Sequence, residues 1–169
     1  LRVSSSAMFD HALFRNNLCI GGPPGETRWG GYGAGRGEAA RVNAPGPQCS
    51  LDYDAIGTYQ TPFAGSIGQQ RFSSLDELRR GPHETHGVQV DMSVFAGVDF
   101  PSPPLPERQP PDLTPRPGTA VVDAGVKLPN VNDDFLDAGP DIGAYEVGRP
   151  APHYGPRPRG VDEETSTRQ

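Results

Sequence analysis

The chain has 169 residues, which is the length of one ordinary domain. Its 22 glycines and 20 prolines make up about a quarter of it, and its formal net charge at pH 7 is −6. This composition excludes an ordinary helical or doubly wound domain, while the modest charge argues against a fully disordered chain. No apolar stretch approaches the ~18 residues that a membrane span needs. The sequence therefore predicts a folded domain that is rich in loops.

The charge balance also argues against a nucleic acid as the main partner, because binding to phosphates needs clustered Lys and Arg. Lys127 is the only lysine of the chain, and the longest basic cluster is the pair Arg79 and Arg80. The two cysteines, Cys19 and Cys49, are too few for a disulfide scaffold or a zinc site. They could form one bridge in an exported protein or stay as free thiols, and the sequence leaves both open.

The first strand signals lie close to the start of the chain. Residues 12–14 and 18–20 are apolar, and Arg15, Asn16 and Asn17 separate them. Each apolar segment has the length of a short strand and is too short for a helix. Asparagine tolerates left-handed backbone angles and bonds to its own neighbours, so the pair predicts a bend between two strands.

Three further segments predict loops and strands from their local pattern. Residues 22–47 are rich in glycine and proline, and they predict a long surface loop that contains Trp29 and Tyr32. Polar and apolar residues alternate at 49–54 and again at 87–90, and each alternation predicts a short strand.

One segment, residues 73–80, predicts a helix. Either Ser73 or Ser74 can cap its N-terminus, acidic residues occupy its first turn and basic residues its last. A Gly-Pro pair that starts at Gly81 ends it. If Ser74 is the cap, Glu77 stands three residues later, at the position that a capping box requires.

The last third of the chain has few strand signals. Residues 101–118 are rich in proline, cannot pair inside a sheet, and predict an extended segment that wraps around the domain. A β-branched run follows at 119–122. Asp123 and Asp141 each open an Asp-x-Gly sequence, which predicts a carboxylate that caps backbone amides in a turn. Residues 149–169 are Pro- and Arg-rich and then polar, and we expect disorder at their end.

Many short strands between Gly, Asn and Asp turns, with a single helix, predict an all-β fold. No Asn-Gly or Asp-Gly turn stands between two alternating runs, so the sequence does not predict hairpins. Short strands that do not pair with their neighbours in sequence fit a solenoid, in which each strand pairs with the equivalent strand one coil away.

Several stretches, taken in order, resemble right-handed parallel β-helix proteins of the pectate-lyase-like kind. Residues 13–22 are similar to the strand, Asn turn and strand of one coil in that family. The helical segment and the residues after it resemble a part near the family's C-terminal end; the similar positions are Gly81, Glu84, His86, Val90, Asp91 and Phe95. The end of the chain resembles the terminal portion of the family at residues 122–125, 128–130, 132–133, 140–146 and 153–155.

The resemblance implies a right-handed parallel β-helix solenoid whose last coils and C-terminal cap occupy residues 1–148. Residues 22–47 would be a loop insertion in it, 101–118 a wrapping segment and 149–169 a tail. The chain is then expected to be the C-terminal fragment of a longer polypeptide. Because a coil end needs a cap or a neighbouring coil, we expect this fragment to be marginally stable and to melt higher with the upstream sequence attached.

The resemblance also implies an exported or cell-surface protein that is carbohydrate-active. The expected activity is that of a polysaccharide lyase or a glycoside hydrolase, with catalytic groups mostly upstream of this chain. The alternative is a non-catalytic β-helix of the cell surface or matrix that binds glycan or serves as a spacer. Expected partners are a polysaccharide or glycan and the upstream coils, with no nucleic acid and no membrane span.

Asp52 and Asp54 are the candidate catalytic pair. They flank Tyr53 in the strand predicted at 49–54, where residues two apart point to the same face. Paired carboxylates can perform acid–base work on glycosides, and a separation of about 7 Å is within the range that such pairs use. Two acids at this spacing are also common by chance.

The candidate ligand site is the glycine-rich loop, with Arg28, Trp29 and Tyr32. Aromatic faces stack on sugar rings, and an arginine at the rim would add hydrogen bonds. The alternative, which the sequence favours, is that Trp29 packs the loop onto the flank of the β-helix. Replacing Trp29 by Ala would weaken glycan binding in the first case and lower stability in the second.

Two groups of residues suggest a metal. The polar loop with Asn132, Asp133, Asp134, Asp137 and Asp141 offers hard oxygen ligands for calcium, the one cofactor that the sequence suggests, but it lacks EF-hand spacing. Asp and Asn also form turns without any ion.

The second group is His83, Glu84, Thr85 and His86. Its histidines are three apart and follow a helix stop, whereas the zinc-protease motif needs them four apart on a helix. The alternative is that Glu84 and His86 bond to the chain where it re-enters the sheet.

Overall fold

The computed structural model describes residues 2–3, 9–22, 37–99 and 111–150. Within these ranges the strands are β1 (Arg2–Val3), β2 (Leu13–Phe14), β3 (Leu18–Gly21), β4 (Ala40–Val42), β5 (Ser50–Leu51), β6 (Ala55–Thr58), β7 (Gly65–Ile67), β8 (Gln70–Phe72) and β9 (Val88–Val90). They are accompanied by one α-helix, α1 (Leu75–Arg79), and a 3-10 helix, Met92–Val94. The predicted all-β class is confirmed.

The strands form three sheets, with the orders β1-β4-β7-β8, β2-β5 and β3-β6-β9. Every pair is parallel apart from β7 and β8. In the third sheet Leu18 pairs with Ala55, and Ala55 pairs with Val88. Strands that are distant in sequence therefore pair as neighbours, as the lack of hairpin signals predicts for most of the chain.

One hairpin does occur, between β7 and β8, and here the sequence-based expectation was wrong. Ile67 pairs with Gln70 across a two-residue turn. Gly68 begins that turn with φ of 57°, a left-handed angle that glycine adopts without strain. The Gly-Gln sequence lacks the Asn-Gly or Asp-Gly signature, which is why the turn escaped notice.

The strand predicted at 49–54 is interrupted, because β5 ends at Leu51 and β6 begins at Ala55. Between them Tyr53 has a left-handed φ of 61°. Asn16 occupies the equivalent place between β2 and β3 and has φ of 58°, which confirms the predicted bend. Each left-handed residue redirects the chain, so that β3 and β6 run at an angle to the strands before them.

The loop predicted at 22–47 contains β4 in its described part. Ala40 and Val42 are almost completely buried, and β4 lies between β1 and β7 in the first sheet. The flanking glycines and prolines hid this strand, whose own three residues are too few to show a period. The residues from 23 to 36 lie outside the described part of the chain.

The predicted helix is confirmed as α1, and Ser74 is its N-cap. The Ser74 hydroxyl oxygen accepts a hydrogen bond from the Glu77 backbone amide at 3.2 Å. The Glu77 carboxylate returns to the amide and the hydroxyl of Ser73, at 2.7 and 2.8 Å. The capping box is therefore formed, but the Glu77 carboxylate accepts the amide of Ser73, the residue before the N-cap, instead of that of Ser74.

The buried side chains form two clusters on opposite sides of β6, because neighbours on a strand point to opposite faces. Ile56 belongs to the first cluster, which consists of Ala39, Ala40, Val42, Cys49, Leu51, Ile56, Ile67, Phe72 and Leu78. Ala55 belongs to the second: Ala55, Val88, Val94, Val121 and Ile142. All four residues of β6 are buried, so this strand is the centre of the domain.

Residues 111–150 contain no strand among those described and are built from turns. The run at 119–122 forms turns, and an isolated bridge joins Phe95 to Pro115. The roles predicted for Asp123 and Asp141 are confirmed. Asp141 accepts the backbone amides of Asp123 (2.8 Å) and Val147 (2.7 Å), while Asp123 accepts those of Ala138 and Gly139 (3.0 and 3.1 Å).

Cys19 and Cys49 are free thiols, and burial raises the pKa of Cys19. Among the described residues no helix is long and apolar enough to cross a bilayer. Of the predicted wrapping segment, residues 111–118 are described and the rest are not, and the predicted tail lies outside the described residues from 151 onward.

Candidate functional site

The structure places Asp52 and Asp54 in different surroundings. The interruption at Tyr53 removes the continuous strand that would align their side chains on one face. Asp54 is fully buried, and its Oδ1 atom accepts the backbone amide and the Nδ2 atom of Asn17, both at 2.8 Å. Asp52 lies nearer the surface. The geometric premise for a catalytic pair was therefore wrong, and any catalytic role of these two residues stays a prediction.

Asp54 instead lies beside Glu84, which is also fully buried. The Asp54 amide donates to Glu84 Oε2 at 3.2 Å, while Asp54 Oδ2 and Glu84 Oε1 are buried without a hydrogen-bond partner. Burial first, and the Asp54 carboxylate second, raise the pKa of Glu84 from its ordinary 4.5 to about 8. Glu84 therefore keeps its proton to a higher pH than an ordinary carboxyl group does.

Asp52 holds His86. Its two carboxylate oxygens meet the backbone amide and the Nδ1 atom of His86, each at 2.7 Å. The imidazole ring also stacks on Tyr53, with ring centres 4.3 Å apart and planes inclined by 11°. Partial burial opposes the ionisation of Asp52, but the hydrogen bonds from His86 and Tyr53 outweigh it and lower the pKa of Asp52.

These contacts join residues 52–54 of one turn to residues 84–86 of the next. Glu84 also donates its amide to the Leu51 carbonyl oxygen at 2.8 Å. The suggestion that Glu84 and His86 bond to the chain at its re-entry into the sheet is confirmed. Within the described ranges no three His, Cys, Asp or Glu side chains are grouped in a way that could hold a metal ion.

In the loop proposed for calcium, several side chains already have partners within the protein. Asp133 forms an ion pair with Lys127 at 3.1 Å and accepts the backbone amide of Asn130. Asn132 accepts the amide of Leu128 at 2.6 Å. Asp134 and Asp137 are exposed.

The three residues of the proposed ligand loop, Arg28, Trp29 and Tyr32, lie outside the described residues. Their part in binding stays a prediction. Trp29 is the only tryptophan of the chain, so no other tryptophan can take its place in a test of that loop.

A groove that the sequence did not reveal opens at the ends of β6 and β9. Its volume is about 530 Å³, and it is lined by residues from four segments, at 58–63, 89–91, 93–94 and 119–120. The lining is an even mixture of polar and apolar surface, and its polar side chains are Thr58, Gln60, Thr61, Gln89, Asp91, Ser93 and Thr119. Phe63 and Val94 add apolar surface.

Two hydroxyls of the groove are fixed by hydrogen bonds within the protein. Other polar side chains of the groove face the solvent. The Thr58 hydroxyl donates to the Thr61 carbonyl oxygen at 2.6 Å, and the Thr61 hydroxyl donates to the Gly37 carbonyl oxygen at 2.8 Å. Both oxygens keep acceptor capacity. Gln89 is exposed, and its side chain makes no hydrogen bond within the described part of the chain.

Asp91 is the charged residue of the groove. Its Oδ1 atom accepts the Ser93 backbone amide at 2.8 Å and so caps the 3-10 helix. Hydrogen bonds from the side chain and the backbone of Ser93 lower the pKa of Asp91. Asp91 is therefore ionised at neutral pH, and its side chain is exposed at the groove.

We compared the chain with family models, with curated proteins and with solved structures, and none of them matches it. The chemistry of the site must therefore be argued from its own residues. Those residues form an open groove with an amide, hydroxyls and a carboxylate beside an aromatic ring, which suits a ligand with many hydroxyl groups.

Proposed function

We propose that the chain forms coils of a right-handed parallel β-helix and that its groove binds glycan. The parallel, in-register order β3-β6-β9 supports the first part, because each connection returns the chain to the same sheet beside its previous strand. Connections between parallel strands of one sheet are right-handed in almost all proteins. The bond from Asn17 to Asp54 continues this stacking through the turns.

Glycan binding is supported above all by one observation, the lining of the groove. Sugar hydroxyls both donate and accept hydrogen bonds, and Gln60, Gln89 and Asp91 offer both kinds of partner on an exposed surface. Phe63 adds apolar surface for the C–H face of a sugar ring. At about 530 Å³, the groove has the volume of an ordinary small-ligand site.

The proposal for these residues is binding without catalysis. Glycoside hydrolysis generally uses two carboxyl groups that flank the reacting bond, and Asp91 is the one carboxylate among the described residues that line the groove. A polysaccharide lyase or hydrolase activity, with its catalytic groups upstream, stays a prediction. An exported or cell-surface location, where glycans are met, belongs to the same proposal.

The test is a titration of the purified chain with oligosaccharides, both neutral and acidic, followed by NMR or calorimetry. We expect binding of at least one of them, and we expect Gln89→Ala to weaken it about five-fold through the loss of one hydrogen bond. The matched control is Gln69→Ala, because Gln69 is also exposed and lies outside the groove lining. Absence of binding, or an equal loss in both variants, would contradict the proposal.

A further inference from the structure

We infer that the groove takes a neutral polysaccharide and discriminates against a polyuronate. This inference rests on the proposed function, since it concerns which glycan the same site binds. The observation behind it is the sign of the charge in the groove. Asp91 is the charged residue of the described lining, and no lysine, arginine or histidine of the described ranges lines the groove.

The carboxylate of Asp91 keeps its negative charge unpaired. No cation lies within ion-pair distance of it among the described residues. Arg116, which lies outside the groove lining, also lowers the pKa of Asp91, but less than the hydrogen bonds from Ser93 do. The other polar groups of the lining, on Gln60, Gln89 and the threonines, are neutral.

A neutral sugar matches this lining because its hydroxyls can donate to Asp91. A hydrogen bond to a carboxylate is about twice as strong as one between neutral groups. A uronate residue in the same place brings a second carboxylate near Asp91 without a cation to separate them, and like charges brought together disfavour the wrong partner. The groove therefore selects by repulsion as well as by attraction.

The resemblance of the sequence to pectate-lyase-like β-helix proteins would allow either a neutral polysaccharide or a polyuronate. A site for polyuronate needs basic side chains that pair with the sugar carboxylates, and arginine is the residue best suited to that task. The described lining of the groove carries a negative charge instead, that of Asp91.

The experiment compares cellohexaose and mannohexaose with hexagalacturonate, by calorimetry on the full chain at 20 mM salt. We expect at least one neutral hexasaccharide to bind about ten-fold more tightly than the uronate. At 0.5 M salt the difference should shrink, because salt screens exposed charges.

The variant Asp91→Asn removes the charge and keeps a side-chain oxygen that can cap the 3-10 helix. We expect it to weaken neutral binding and to strengthen uronate binding, so that the two affinities converge. Asp99→Asn is the matched control, since Asp99 is exposed and lies outside the groove lining. It should change neither affinity.

The outcomes separate the two levels of the proposal. Tighter binding of hexagalacturonate, or an unchanged preference in Asp91→Asn, overturns the inference and leaves glycan binding intact. Absence of binding for all three sugars counts against the proposed function itself. Neutral preference that converges in Asp91→Asn supports both.

Discussion

Two parts of the molecule satisfy their backbone hydrogen bonds in different ways. In the set of parallel strands that we call the coil stack, made of β2, β3, β5, β6 and β9, the amides bond to the neighbouring parallel strand. In the C-terminal segment, residues 111–150, side-chain oxygens accept many of the amides, as Asp123 and Asp141 do. Strand pairing depends on a neighbouring strand, whereas carboxylate capping needs no sheet.

The joint between these two parts is made by a side-chain amide. The side chain of Asn16, in the first turn of the coil stack, accepts the Val126 amide and donates to the Val126 carbonyl oxygen, both at 2.8 Å. Gly125 passes so close to Asn16 that a Cβ atom there would lie 2.9 Å from the Asn16 Oδ1 atom, and it would lie 2.7 Å from the Pro140 carbonyl oxygen. The C-terminal segment is thus fitted to the coil stack through a position where no side chain is tolerated.

The largest effect should come from the apolar centre of the coil stack. Ile56 is fully buried in β6, so Ile56→Ala leaves a cavity and should lower the free energy of unfolding by about 4 kcal/mol. The control is Leu13→Ala, because Leu13 lies in β2 of the same stack but is 63% exposed and should lose less than about 1 kcal/mol. Urea unfolding of both variants makes the comparison. Equal losses would show that β6 is not the centre of the domain.

A smaller loss should follow when carboxylate capping is removed from the C-terminal segment. Asp141 is buried, and Asp141→Ala leaves the amides of Asp123 and Val147 without their acceptor. The expected loss is about 3 kcal/mol, since each buried donor without a partner has its own penalty. Asp134→Ala serves as control because Asp134 is exposed, and it should leave the melting temperature unchanged. A melting temperature that Asp141→Ala does not lower would mean that turns alone hold this segment.

Local chemistry explains what the sequence could predict. The bend at Asn16, the cap at Ser74 and the capping by Asp123 and Asp141 each depend on one residue type and its close neighbours. The all-β class followed from many such signals. Strand β4 was missed, because three residues between Gly- and Pro-rich flanks cannot show a period.

Features that need the three-dimensional arrangement were not accessible from the sequence. The groove combines residues from 58 to 120, and no local pattern links them. Glu84 was noticed as a polar residue beside two histidines, yet its burial follows from the stacking of its turn on Asp54. Asp52 and Asp54 were expected on one face of a strand, but β5 ends at Leu51 and β6 begins at Ala55, and the residue type of Tyr53 does not announce the left-handed angle found between them.

The buried acid Glu84 should make the stability depend on pH above 4.5, whereas Asp133 in the C-terminal segment, whose pKa is lowered, acts only below its ordinary 3.8. The pKa of Glu84 is raised to about 8, so its contribution is full below pH 4.5 and is lost as the pH rises through about 8. Stability should fall over this window by at most about 1.4 kcal/mol per pH unit. His83, whose pKa burial lowers, acts in the opposite direction, since its contribution is lost as the pH falls below 6.5.

Comparison of Glu84→Gln with the unchanged chain isolates the contribution of Glu84, because His83 is common to both. We expect the variant to show a flatter profile between pH 4.5 and 8, measured by urea unfolding at several pH values. Besides Asp54, the groups that act on Glu84 include Asp52, which is ionised throughout this window. The control Glu77→Gln changes an exposed acid and should leave the slope between pH 5 and 8 as it is. Parallel profiles for Glu84→Gln and the unchanged chain would show that Glu84 titrates normally.

The smallest effect concerns calcium and the acidic loop of the C-terminal segment. Asp133 already pairs with Lys127 and with the Asn130 amide, which holds the pKa of its carboxyl below the usual range, and Asn132 and Asp141 are likewise engaged. These oxygens serve the fold, so an ion would have to displace their partners. We expect millimolar calcium to change the melting temperature by less than about 1 °C, because a ligand stabilises only in proportion to its binding to the folded state. A saturable rise of several degrees that is lost in Asp134→Asn would show instead that the carboxylates of this loop bind the ion as well as cap its turns.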